Sequence, residues 1–140
     1  MILLDTDVVS EPLKPTPESK VLAWLDRQPT GILYLPSVAL AELLAGIEIM
    51  PEGRRKGSML QSVRALLQQL TSQRVLPFDV EAAEAYSLLT ARARSEGVSV
   101  ALGDGEIGAI AHVHGLAVAT RDERPFLAMG LRVINPWAES

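Results

Sequence analysis

The stretch Ile2-Leu3-Leu4-Asp5-Thr6-Asp7-Val8 sets a short apolar run directly against two acids, and Leu116-Ala117-Val118-Ala119-Thr120-Arg121-Asp122 repeats that pattern late in the chain. Continuous apolar runs of this length, bounded by polar residues, suit strands of a parallel sheet buried on both faces. Similar runs at 32–35, 74–78 and 131–134 join those at 2–4 and 116–119. Longer stretches with helical spacing lie between them, at 18–27, 37–50, 54–72, 80–95 and 105–114. Leu60, Val63, Leu66, Leu67 and Leu70 mark one apolar stripe at i, i+3, i+4 spacing. Ser37 and Asp79 are candidate N-caps, and Pro51, Gly97 and Gly115 fit helix ends. Strands alternating with helices, without a repeat or a linker, predict one α/β domain over residues 1–140.

Composition agrees with such a domain. Of 140 residues 48% are apolar and 21% charged, enough for one core without staples. With no cysteine, disulfides, thiolate catalysis and cysteine-ligated metals are excluded. The N-terminus has no basic segment ahead of Asp5, which argues against a secretory signal and for the cytoplasm. The longest uncharged stretches, 28–41 and 107–120, fall short of the ~20 apolar residues of a membrane helix. A net charge of 13 − 17 = −4 argues against a domain built mainly to grip phosphate backbones. The segment 51–57 (PEGRRKG) reads as the most basic and loop-like part, with Arg54, Arg55 and Lys56 on solvated surface.

In open parallel α/β sheets, ligands bind outside the carboxyl ends of the strands. Asp5 follows the first strand, Glu42 lies on the helix after the second, and Asp122 follows the run at 116–119. Asp104 stands at the start of the helix preceding that run. The helix around Glu42 is apolar nearly all round, so it is expected to be largely buried, and an ionised acid there needs a cation or strong donors. A metal shared by Asp5, Glu42, Asp104 and Asp122 would meet that need, with oxygen ligands suited to Mg²⁺ or Mn²⁺. Taken singly, each acid has a plainer reading: Asp104 or Asp5 as a helix cap, Asp122 as a turn residue, Glu42 on an exposed helix rim.

Three look-alike motifs fail on chemistry. Gly103-Asp104-Gly105-Glu106-Ile107-Gly108 matches the dinucleotide fingerprint, but its acids would repel a pyrophosphate and it does not open the first βαβ unit. Asp5-Thr6-Asp7 after a strand resembles the nucleophile loop of haloacid-dehalogenase-type phosphatases and the acidic pocket of receiver domains. Both need a late lysine, and the lysines here are Lys14, Lys20 and Lys56. His112 and His114, two apart on a helix, face different directions and cannot readily share a metal. No Gly-x-Ser-x-Gly elbow is present.

Taken in order, Asp5-Thr6-Asp7-Val8, Ser37 with Ala41-Glu42-Leu43, Asp104 with Ile107 and Ala111, Ala119-Thr120-Arg121-Asp122 with Phe126, and Asn135-Pro136-Trp137 resemble the PIN-domain family, and within it VapC-type toxins of the FitB-like branch. The resemblance spans essentially the whole chain. It implies a PIN-like three-layer α/β/α sandwich around a short parallel sheet of four or five strands. It also implies a Mg²⁺- or Mn²⁺-dependent endoribonuclease, the toxin of a type II toxin–antitoxin system, which hydrolyses RNA through a metal-activated water without a covalent intermediate. Asp5, Glu42, Asp104 and Asp122 fall on the family's acidic quartet. Asp5, Asp104 and Asp122 are expected to ligate metal, Glu42 to orient water or help ligate, and Thr6 and Thr120 to support the site.

Three departures stand out, one being that Gly105 and Gly108 are expected to make the start of the Asp104 helix unusually flexible. Asp7 occupies a position where many members have Asn, and Pro125 precedes Phe126 where many have an acid. The resemblance further implies a homodimer, a cognate antitoxin of the VapB or FitA kind, and contact with DNA only through that antitoxin. RNA contacts are expected from Arg92, Arg121 and Arg124, with Arg94 beside them, or from Arg54, Arg55 and Lys56, for which solvated surface is the favoured reading. A non-cleaving RNA- or partner-binding module of the same fold, or a metal-dependent DNA nuclease or phosphatase, would share most of these residues.

Overall fold

The computed structural model describes residues 1–29, 31–70 and 72–138. The chain runs β1 (Ile2–Leu4), α1 (Thr6–Ser10), a 3-10 turn (Glu11–Leu13), α2 (Ser19–Arg27), β2 (Leu33–Pro36), α3 (Ser37–Glu48) and α4 (Arg54–Leu70). It continues through β3 (Val75–Leu76), α5 (Val80–Ser95), α6 (Leu102–His114), β4 (Ala117–Ala119), α7 (Glu123–Ala128) and β5 (Val133–Ile134). All five expected strands are present. They form one parallel sheet in the order β3-β2-β1-β4-β5, with Ile2 beside Leu33 on one side and Ala117 on the other.

This order reverses direction at β1. The chain first builds outward through β2 and β3, then returns to place β4 and β5 on the other side of β1. Right-handed crossovers therefore put α1–α4 and α5–α7 on opposite faces. The crevice between the carboxyl ends of β1 and β4 is the switch point where α/β sheets open a ligand site. Leu3, Val118 and Ala119 are fully buried between the helical layers, as the unbroken apolar runs require.

Local chemistry explains where the helices begin and end. Asp79 caps α5, accepting from the Ala82 N–H at 3.0 Å. Gly115, at φ 65°, ends α6 in the left-handed conformation. Ser37, expected as a cap, is instead the first residue of α3, and Pro36 occupies the cap position without a side-chain bond. Helix α6 begins at Leu102, three residues ahead of the expected start, so Asp104 lies inside the first turn and is no cap. Helices α1 and α7, of five and six residues, were too short for periodicity to reveal. The expectation of a helix through 72 and a domain through 140 includes positions 71, 139 and 140, which lie outside the described residues.

Lys56 corrects the reading of 51–57 as solvated loop. It lies in the first turn of α4 and is buried, its Nζ donating to the Glu48 carbonyl at 2.9 Å and to Glu52 Oε1 at 2.8 Å. A cation placed on the last carbonyls of α3 is favourable. Arg54 and Arg55 are exposed as expected.

The glycines of the fingerprint look-alike serve packing. A Cβ on Gly105 would come within 2.4 Å of the Tyr86 ring, and one on Gly108 within 2.5 Å of the Met129 methyl. Close approach of α5 and α7 to α6 therefore needs both positions bare. An Ala at Gly105 would gain about 1 kcal/mol of helix propensity. It would lose roughly 1–3 kcal/mol by overpacking against a stiff ring. Gly105→Ala is thus expected to lower the unfolding midpoint. Gly57→Ala in α4, where nothing lies within 4 Å of the added methyl, is expected to raise it. Urea unfolding of both variants checks the pair.

Candidate active site at the sheet switch point

Asp5 leaves β1 directly into α1 and caps that helix, its Oδ1 accepting from the Thr6 N–H at 2.7 Å. Its Oδ2 accepts from the Thr120 hydroxyl at 2.8 Å, across the join of β1 and β4. Thr120 is fully buried, and the same hydroxyl oxygen accepts from the Asp122 N–H at 3.1 Å. One side chain thus ties the first acid to the backbone of the last. Asp7 makes a second tie, its Oδ2 accepting from the Arg121 N–H at 3.0 Å.

Glu42 corrects an expectation. The helix that carries it is not largely buried: Ala39, Leu43 and Ile47 face the core, while Ala41, Glu42, Leu44, Ala45 and Ile49 are exposed. Apolar composition all round had two different causes, a packed face and an open apolar one. Glu42 nevertheless points to the site. A Cβ on Gly103 would sit 2.9 Å from Glu42 Oε1, so the carboxylate rests against the first turn of α6 beside Asp104.

Electrostatics link these groups. Burial pushes the Asp5 carboxyl up to about 6, reinforced by Asp7 and, more weakly, Glu42, against the lowering effect of the Thr120 and Thr6 bonds. Asp104 is likewise pushed up to about 6, by desolvation first and then by Asp5, Asp122 and Glu42. Asp7 is raised by burial, with Asp104 and Asp122 adding to it. Five carboxylates thus share one crevice. In the sequence Asp7 stands out only as an acid where many family members have Asn. Its bond to the Arg121 backbone, and Gly103 as the seat of Glu42, depend on elements far apart in sequence.

The donor chemistry fits a hard divalent cation: carboxylate oxygens with excess negative charge. Thr6 Oγ1 and Asp7 Oδ1 are buried without a hydrogen-bond partner among the described residues, and both lie beside the quartet's first acid. No three acids or histidines among the described residues already form a closed ligand set. An ion would have to draw the carboxylates together.

The other expected residues are dispersed. The Arg121 guanidinium lies over the Trp137 ring, 5.3 Å from its centroid. Arg124 lines a shallow depression with Glu96, Val98 and Leu127. Arg92 packs against Gly130, where a Cβ would overlap its guanidinium, so it is engaged at the end of α7. His112 and His114 are exposed on α6.

A five-stranded parallel sheet with acids converging at its switch point defines a class of small carboxylate-centred α/β domains. The PIN domain model matches residues 2–130, and the chain belongs to that family. It is 47% identical over 137 residues to the plasmid stability protein StbB of Pseudomonas syringae pv. tomato, covering 98% of this chain and 99% of that protein. It is 44% identical to the VapC ribonuclease Y4jK of Sinorhizobium fredii, covering 98% of both chains. Toxin FitB of Neisseria gonorrhoeae is 40% identical, over 98% of this chain and 99% of that one. Among solved structures, FitAB bound to an IR36 DNA fragment superposes with a TM-score of 0.94 at 38% identity, covering 100% of this chain and 98% of that one.

The raised carboxyls make stability depend on pH in a definite sense. Between about pH 4 and 6 the folded protein holds protons at Asp5 and Asp104 that the unfolded chain has released. Stability contributed by these groups is therefore lost as pH rises through that window, and the cost of their burial, with the repulsion that adds to it, is fully present at pH 7. Asp104→Asn removes one charge while keeping the shape. It is expected to raise Tm by a few degrees at neutral pH and to leave it nearly unchanged near pH 4. Thermal unfolding at the two pH values checks this, and an equal shift at both would remove the ionised, buried carboxylate as the cause.

Proposed function

We propose that this chain, as one domain over residues 1–140, is a Mg²⁺- or Mn²⁺-dependent endoribonuclease that acts as the cytoplasmic toxin of a VapBC-like toxin–antitoxin system. The observation that carries the reading is the convergence of Asp5, Glu42, Asp104 and Asp122 at the β1/β4 switch point, with burial first and neighbouring carboxylates second raising Asp5 and Asp104. The likeness over nearly the full chain to a VapC ribonuclease and to toxin FitB supports it.

In this reading Asp5, Asp104 and Asp122 hold the ion, and Thr6 lines the site beside Asp5. A bound divalent ion supplies Lewis acidity toward a phosphodiester oxygen and lowers the pKa of water. Asp5 is aimed by Thr120, whose hydroxyl proton is committed to Oδ2 and whose oxygen fixes the Asp122 backbone. Glu42, exposed at the rim and seated against Gly103, orients the attacking water and accepts its proton. Arg121 and Arg124, at the start of α7, are the proposed phosphate contacts. Arg92, engaged against Gly130, would have to leave that contact to reach RNA.

The partners follow from two surfaces. An apolar cavity of about 610 Å³, lined by Leu13, Leu25, Leu33, Leu66 and Leu70, is suited to a segment of a FitA- or VapB-like antitoxin. DNA contact then belongs to the antitoxin, consistent with the acidic balance of this chain. The open face of α3, with Leu44 and Ile49, is suited to a homodimer. No helix of the described residues is long and apolar enough to cross a membrane.

The test is cleavage of a mixed structured RNA pool by purified, antitoxin-free protein, with Mg²⁺ or Mn²⁺ and with EDTA, beside a DNA pool. Metal-dependent cutting confined to RNA is expected. Asp104→Asn should lose more than about 100-fold, since even residues that only orient metal ligands cost 10–100-fold. Thr120→Val should fall within that smaller range. Intact RNA with bound metal would favour a non-cleaving module, and cutting of the DNA pool would favour a DNA nuclease.

A further inference from the structure

We infer that Asn135 and Trp137 are positioning residues for Asp122, holding the turn that carries it from the side opposite β1. The inference rests on the proposed nuclease reading. Asp122 stands between β4 and α7 at the cap position of α7, where its side chain makes no capping bond. Its backbone is fixed from within by Thr120, and that of Arg121 by Asp7. From outside, the residues on either side of Asp122 are both held by the chain's last segment. The Arg121 guanidinium lies over the Trp137 ring, and Glu123 Oε2 accepts from Asn135 Nδ2 at 3.0 Å.

Asn135 joins the two contacts into one bracket. Its side-chain nitrogen reaches Glu123, while its side-chain oxygen accepts from the Trp137 backbone N–H at 3.0 Å and so fixes the backbone that carries the indole. Pro136 between them is buried, and the Ala138 N–H closes the turn onto the Asn135 carbonyl at 3.0 Å. The bracket hangs from β5, whose Ile134 carbonyl accepts from the Thr120 N–H at 2.9 Å. A turn gripped at both neighbours of Asp122 holds the backbone from which that carboxylate reaches toward Asp5 and Asp104. Losing the grip frees the outer side, so that the inner bond from the Asp122 N–H to Thr120 opens more often.

The experiment measures hydrogen exchange of the Asp122 amide by NMR in the full chain, beside RNA cleavage kinetics, for Asn135→Ala, Trp137→Ala, Glu123→Ala and Glu123→Gln. The first three are expected to speed exchange at Asp122 about tenfold without a matching change across the core. Asn135→Ala and Glu123→Ala should also lower kcat about tenfold with KM little altered, because the carboxylate is misplaced and substrate binding is retained, whereas Trp137→Ala, which also frees the proposed RNA contact Arg121, should lower kcat and raise KM. Glu123→Gln keeps an oxygen for Asn135 and should behave as the parent. Unchanged exchange at Asp122, faster exchange everywhere, or loosened exchange with unchanged kcat would each overturn the inference. Should Trp137→Ala fail to fold, Asn135→Ala and the Glu123 pair decide alone. If the parent cuts no RNA, the exchange arm still tests the bracket, and the missing activity counts against the nuclease reading only.

Discussion

The Thr120 hydroxyl is the small group on which the site depends. It is buried at the join of β1 and β4, donates to Asp5 and accepts from the backbone of Asp122, residues separated by more than a hundred positions. A hydroxyl can do both at once, which neither a valine nor a carboxylate could. The parallel pairing of Leu4 with Ala119 brings the two strand ends level, so the register of the sheet itself sets the reach of this bond. The tight packing around α6 serves the same end, because the glycines at 105 and 108 let α5 and α7 close in while Asp104 stays at the crevice.

The crevice concentrates like charge at a cost to the fold. Desolvation and repulsion raise Asp5 and Asp104 far above an ordinary carboxyl, and hydrogen bonds from Thr6 and Thr120 offset only part of that. Ligand-binding sites often hold such local instability, which the surrounding core tolerates and a bound cation would relieve. The apolar cavity of about 610 Å³ lies elsewhere, among α2, α4 and the 3-10 turn, and its lining includes none of the four acids. The proposed chemistry and the proposed docking thus fall on separate surfaces of one small domain.

Most of the architecture was legible in the residues. Five apolar runs became five strands, and Asp79 and Gly115 marked helix ends where capping and left-handed backbone require them. Short helices escaped notice because five or six residues hold too little of a 3.6-residue period to be distinguished from a turn. The start of α6 was misjudged because glycines weaken the helical signal, and here they are retained for close packing. Lys56 read as solvent because a cation beside two arginines carries no sequence mark of the carbonyl it meets. Glu42 read as buried because an all-apolar helix looks the same whether its second face meets protein or is left open.

By itself the sequence determined the alternation of strand and helix, and which acids follow strand ends, since both are local properties of hydrophobic period and chain order. Only the tertiary structure decided that β4 returns to lie beside β1, that Thr120 bridges their ends, that Gly103 seats Glu42, and that Asn135 and Trp137 reach back to the neighbours of Asp122. Those are pairings between distant positions. They are fixed by strand register and by which faces pack, and no window along the chain contains them.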